Sequence, residues 1–175
     1  MASPSPPSSL TPSFPTHEEA VPLDEQAVRA WLEDQGFERG RVFLVVRSYA
    51  KMHVESDSGQ IGCTHLMNPM QWACFKGELH MCKWLHKNGA ADDVTGHAIA
   101  GDNSMFWACR GGHLPVCKWL YEVGAAADVS SAANSAGKTS MYGACQGGDL
   151  SVCKWLLEVG AAADITKANN NGTTP

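Results

Sequence analysis

Trp107 to Asp128 reads WACRGGHLPVCKWLYEVGAAAD, and two further versions of it stand in the chain. Trp72 to Asp92 is WACFKGELHMCKWLHKNGAAD, and Gly143 to Asp164 is GACQGGDLSVCKWLLEVGAAAD. The glycine two places before a leucine moves from Gly77 to Gly112 to Gly148, in steps of 35 and 36 residues. The word CKWL, beginning at Cys82, Cys117 and Cys153, keeps the same steps. Self-similarity at such a period marks stacked supersecondary units that bury their apolar faces on one another.

The middle copy predicts two short helices. Asn103 is a helix cap, and Ser104 to Arg110 supply about two turns. Met105, Ala108 and Cys109 fall at i, i+3 and i+4, one apolar face. Gly111-Gly112 breaks that helix. A second helix starts at about Leu114, with Pro115 in the first turn, where a missing N–H costs little. Val116, Cys117, Leu120 and Tyr121 form its apolar face, and Gly124 ends it. Neither helix is long enough to stand alone in water. The unit is therefore an antiparallel helix pair with a small-residue seam, followed by an extended linker from Ala125 to Lys138.

This pattern resembles the ankyrin repeat. The family opening G-x-T-P-L-H-x-A-A-x-x-G-H is similar to Gly137 to Cys145, GKTSMYGAC. The family ending L-L-x-x-G-A-D is similar to Trp155 to Ala161, WLLEVGA. Thr-Pro-Leu-His becomes Asn-Pro-Met-Gln from Asn68, Asn-Ser-Met-Phe from Asn103 and Thr-Ser-Met-Tyr from Thr139. The resemblance covers about Asn68 to the end. It implies an all-α ankyrin-type helix-turn-helix repeat solenoid. His113 matches the family's histidine at the start of the second helix and is read as structural. Two or three residues beyond the family period fall in the finger region, so longer fingers are expected.

The expected organisation follows. Residues 1–22 form a Pro/Ser-rich disordered tail, because they lack apolar area to offset chain entropy. Residues 23–67 form an N-terminal helical cap and loop. Asp24 starts a helix ending near Gln35 and Gly36, with Val28, Trp31 and Leu32 on its apolar face. Residues 41–53 suit either a buried strand or a helical stripe, and the need to cover the first repeat favours the helix. Gly62 to Leu66 also looks like a repeat opening placed four residues early, by an added helical turn or a loop insertion. Repeats are expected at 68–102, 103–138 and 139–171, with 172–175 as the truncated opening of a fourth. That ending suggests a fragment of a longer array or a truncated product.

Composition narrows the function. The net charge of −5 argues against nucleic acid or an anionic membrane as partner, since phosphate binding needs clustered cations. No apolar run is long enough to cross a bilayer. The start lacks the features of a secretory signal. Six of the seven cysteines take repeat-equivalent positions, which suits a reducing cytoplasmic location, with the nucleus equally open.

Chemistry-bearing motifs have plainer explanations. Ala132-x4-Gly137-Lys138-Thr139 fits a relaxed phosphate loop, but the same slot recurs in sister repeats without it. The cysteine pairs lack the close spacing of metal ligands and occupy slots that small apolar residues fill. Trp84, Trp119 and Trp155 recur on the second helices and suit a packing column along the stack. Asn171-Gly172-Thr173 is a glycosylation sequon made idle by a cytosolic location. No Ser/His/Asp set or paired carboxylates recur at a catalytic spacing, so the reading is a non-catalytic chain with no cofactor and no metal.

The expected function is a protein–protein interaction module, a scaffold or adaptor. The alternative is the targeting arm of a larger enzyme or effector whose active domain lies elsewhere. The resemblance implies recognition through the fingers and the ends of the first helices. The helix-end positions are Phe75-Lys76, Arg110-Gly111 and Gln146-Gly147, and the finger positions are Met67, Asp102, Lys138 and Thr173. Phe75, Lys76, Asp102, Arg110, Lys138 and Gln146 are the candidate contacts. An exposed Phe75 beside cations would anchor an acidic-apolar segment of a protein partner.

Overall fold

A computed structural model describes residues 24–37, 50–54, 63–96, 102–131 and 134–175. The tail read as disordered, residues 41–49 of the ambiguous segment and the 56–62 loop lie outside the described residues.

Helix α1 runs Glu25–Asp34. Asp24 starts it by accepting a hydrogen bond from the Ala27 amide at 2.7 Å. Gly36, at φ +83°, turns the chain away after it. Val28 and Leu32 are buried, as is Phe37 just beyond the helix. The indole N–H of Trp72 donates to Gln35 Oε1 at 2.7 Å, so the end of α1 is tied to the first repeat.

The helix expected to run through His53 is corrected by the backbone. Strands β1 (Ala50–Val54) and β2 (Cys63–Met67) pair antiparallel, Ala50 opposite Met67 and Val54 opposite Cys63. Pairing gives each strand a partner for its backbone amides and carbonyls, which a lone strand would lack. Of the two expectations for the repeat-like opening at Gly62 to Leu66, an added helical turn or a loop insertion, the helical turn is excluded because Cys63–Met67 is extended. The all-α stack begins at Asn68, directly after this hairpin.

Three helix pairs follow. They are α2 (Pro69–Lys76) with α3 (Leu79–Leu85), α4 (Ser104–Arg110) with α5 (Leu114–Glu122), and α6 (Ser140–Gly147) with α7 (Leu150–Glu158). The first helices stack in the order α2, α4, α6, and the second helices in the order α3, α5, α7. Each first helix is started by a side chain at the family's Thr slot. Asn68 Oδ1 accepts from the Gln71 amide at 2.8 Å, and Gln71 Oε1 accepts in return from the Asn68 amide at 3.1 Å. Asn103 Oδ1 accepts from Phe106 N at 2.8 Å, and Thr139 Oγ1 from Tyr142 N at 3.3 Å. Such caps each contribute about 1 kcal/mol by satisfying an otherwise orphaned amide.

After the second helices the linker is not extended from its first residue, as the sequence suggested. It winds into 3-10 turns at Ala91–Val94, Ala125–Val129 and Ala161–Thr166. Glycines at positive φ, Gly89, Gly124 and Gly160, make the entry to them possible. Two of the turns are then tied to the next first helix. Ser104 Oγ donates to Asp93 O at 2.7 Å, and Ser140 Oγ donates to Asp128 O at 2.8 Å.

The core runs the length of the stack. Ala73, Cys74, Ala108, Cys109 and Ala144 are fully buried where the first helices meet. Small residues let these helices approach closely. A Cβ on Gly111 would collide with the Phe75 carbonyl oxygen, and one on Gly147 with the Arg110 carbonyl oxygen. Gly143 stands where the first two copies carry Trp72 and Trp107, and its missing side chain leaves room for the buried ring of Phe106, 3.0 Å from where a Cβ would sit. Among the second helices, Trp119 meets His86 edge-on at 5.8 Å and Trp155 meets Tyr121 at 5.9 Å. Each tryptophan thus contacts the preceding repeat, as the packing reading expected, through the residue two places beyond the equivalent tryptophan.

Gly147 is helical and under no positive-φ constraint, so only the approach of the Arg110 carbonyl forbids a side chain there. Gly147→Ala should lose about 1–3 kcal/mol in urea unfolding by overpacking, although alanine is the better helix former by about 1 kcal/mol. A gain in stability would show that the seam is slack.

Candidate functional site

The candidate contacts fall in two environments. Lys76 closes α2, Arg110 closes α4, and Lys138 enters α6 from the finger before it. Each holds its charge over an aromatic ring. Lys76 Nζ is 4.9 Å from the Trp72 ring centroid, Arg110 Cζ is 5.4 Å from that of Trp107, and Lys138 Nζ is 5.1 Å from that of Tyr142. The quadrupole of each ring attracts the cation with about 0.5–1 kcal/mol at an exposed position. Lys76 and Gln146 are exposed, and Arg110 and Lys138 are half-buried.

Phe75 is placed differently from the expectation of an exposed anchor. It is half-buried in an aromatic cluster, 5.5 Å from Trp72 and edge-on to Trp107 at 5.8 Å. Phe106 continues the cluster, 5.3 Å from Trp107. The physical reason is the repeat itself: the next first helix brings Trp107 against the ring.

Asp102 is also corrected. It is 5% exposed, and its Oδ1 accepts from Asn134 Nδ2 at 2.6 Å. Its carbonyl accepts from Gln71 Nε2 at 2.9 Å. Asp102 thus joins the start of α2, its own finger and the next finger. The following fingers are joined in a related way, since Asn170 donates from its backbone to Ala136 O at 2.9 Å and from its side chain to Ser135 O at 2.8 Å. Asn134 and Asn169 shape the turns, each accepting from amides two and four residues ahead.

Sequence reasoning found the cations but missed the rings beneath them. The signal was present, because Lys76 lies four residues after Trp72, Arg110 three after Trp107, and Lys138 four before Tyr142. The first two are spacings at which neighbouring helical side chains meet, and Lys138 stands just before the capping Thr139.

A third group crosses the seam near the helix ends. His113 makes no side-chain cap to α5. Its Nε2 instead lies 2.9 Å from the Phe75 carbonyl oxygen. A carbonyl only accepts, so this nitrogen carries the proton. The ring occupies the space a Cβ on Gly77 or Gly111 would need. At the equivalent place in the third repeat Asp149 does start its helix, accepting from Val152 N at 2.9 Å and Ser151 Oγ at 2.5 Å. These bonds, with the charge of nearby His113, hold its carboxyl below the usual range.

Among the described residues no group of three or more His, Cys, Asp or Glu side chains is placed to hold a metal ion. None of the described helices is long and apolar enough to cross a membrane. The family model for ankyrin repeats in three copies matches residues 44–132 and again residues 105–175. The chain belongs to the ankyrin-repeat family. No curated protein matches it. The ankyrin match extends over the aromatic–cation pairs, the fingers and the seam. It covers β1 and β2 as well, so the hairpin lies within the matched region. Ankyrin architecture is consistent with a protein-interaction scaffold.

Asp149 gives the seam a pH signature. Its depressed folded-state pKa contributes stability above its unfolded value of about 4, lost as pH falls through the folded value. Asp149→Asn keeps a capping side chain but no charge. In urea unfolding the wild type should exceed Asp149→Asn at pH 7, and the difference should shrink as pH falls from about 5 to about 2. A difference independent of pH would show that the carboxylate charge contributes nothing.

Proposed function

We propose that this ankyrin stack binds an acidic-apolar segment of a protein partner along the strip formed by Lys76, Arg110, Lys138 and Gln146. The observation that carries the reading is the repeated cation over a ring. A cation resting on an aromatic face has already lost part of its rotamer freedom. Ordering it against a partner carboxylate therefore costs less of the binding free energy. The half-buried Phe75 and Tyr142 supply apolar and aromatic area beside the charges.

Phe75 and Asp102 take supporting parts in this reading. Phe75 packs between Trp72 and Trp107 and fixes the platform under Lys76 and Arg110. Asp102 holds the fingers in register through Asn134, at 5% exposure, and does not meet the partner. The net charge of −5 supports a protein partner over nucleic acid. The six repeat cysteines, all thiols, support residence in a reducing compartment, the cytoplasm or nucleus.

Affinity purification with mass spectrometry, comparing the wild type with Lys76→Glu/Lys138→Glu, tests the surface. Both lysines lie over rings that stay in place, so the fold should survive, as circular dichroism would verify. Each reversal should weaken the partner's affinity by about tenfold and reduce its salt dependence. Unchanged partners and affinity with an intact fold would reject the strip.

A further inference from the structure

The three repeats carry one sulfur motif in three environments. In each, a cysteine of the first helix touches one of the second. Sγ–Sγ distances are 3.7 Å for Cys74 and Cys82, 3.7 Å for Cys109 and Cys117, and 3.8 Å for Cys145 and Cys153. Sulfur on sulfur at this range is van der Waals contact with a shared thiol proton.

What differs is access. Cys74, Cys82, Cys109 and Cys117 have no exposed surface. Burial, then the paired sulfur, pushes the Cys74 and Cys109 thiols well above their ordinary value. A thiol so held is inert, because the thiolate is the reacting species. Cys145 is exposed and Cys153 half-buried beside it. The third pair thus keeps the contact of the other two with one sulfur open to solvent.

We propose that Cys145 and Cys153 form a dithiol modification site that reacts with low-molecular-weight disulfides and closes to an intramolecular disulfide between α6 and α7.

The order of events follows from exposure. The Cys145 thiolate attacks one sulfur of the small disulfide. That S–S bond breaks, one small thiolate leaves, and Cys145 becomes a mixed disulfide. Cys153 then loses its proton to solvent, and its thiolate attacks the Cys145 sulfur. The second small thiolate leaves, and the Cys145–Cys153 bond remains. Two protein thiols are oxidised, and one small disulfide is reduced to two thiols.

Cys153 suits the second role. Burial, then the charge and hydrogen bond of Cys145, pushes it up to about 11. Capture of Cys145 as a mixed disulfide removes the contributions of that neighbour. Burial remains, and the fraction of Cys153 present as thiolate rises once its target is formed. The bond needs the sulfurs to close to about 2.0 Å. Cys145 has solvent on one side, so the approach displaces no packed neighbour there. Cys145 immediately precedes Gln146, so the bond would staple α6 to α7 next to the proposed binding strip. The chemistry itself does not depend on that strip.

The test uses the intact 175-residue chain with oxidised glutathione at mildly alkaline pH. Two of the six repeat thiols should be lost, and peptide mapping should find Cys145 and Cys153 joined with the loss of two hydrogens. Cys74, Cys82, Cys109 and Cys117 should remain unmodified. Cys153→Ser should stop at glutathione held on Cys145, and Cys145→Ser should give no disulfide at Cys153. Circular dichroism checks that both variants fold. Three outcomes would overturn the proposal. One is a wild type that keeps glutathione on Cys145 as its final product. Another is a wild type with no 145–153 bond although Cys153→Ser takes glutathione. The last is oxidation of the buried pairs at the rate of the third.

Discussion

The stack depends on how closely one first helix can lie against the next. At two steps of the seam a glycine faces a carbonyl oxygen of the preceding helix, Gly111 at Phe75 and Gly147 at Arg110. No side chain fits there. That spacing brings the alanine and cysteine rows into contact and closes their side of the core. Helices of seven to nine residues are too short to persist alone, so the contact between repeats is what makes them helices.

The same closeness explains the site. Arg110 ends α4 directly over the buried Trp107, whose ring meets Phe75 from the repeat before. The platform is therefore shared between repeats, as are the Asp102–Asn134 bond and the His113 contact with the Phe75 carbonyl. A partner touching the strip would read the spacing of the stack along with its side chains. The variation from copy to copy is also coordinated. Phe106 is large and Gly143 absent-sided because the two occupy one space.

Much of this was legible in the sequence. The three CKWL words gave the period, and Asn103, Pro115 and Gly124 marked where helices begin and end. The first helix was equally plain from Asp24 and Gly36. Position within a repeat could not tell exposure, and Phe75 and Asp102 show why. Their surroundings come from residues more than 30 positions away, Trp107 and Asn134, which only stacking brings near. Gly111-Gly112 reads as one helix break, yet the two act differently: Gly112 takes positive φ, at +75°, while Gly111 serves the close approach. Residues 50–53 suit a helix only while their strand partner, Cys63–Met67, reads as a misplaced repeat opening. The cation–ring pairs are legible in the three- and four-residue spacing, which places each cation beside its ring.

If contact between repeats creates the helices, protection should be greatest where a repeat has neighbours on both sides. Amide hydrogen exchange of the native chain measures this directly. Amides of α4, between α2 and α6, should exchange slowest, and those of α1 fastest among the helices. Protection in α4 no higher than in α1 would contradict the account, because it would make each helix pair's stability its own.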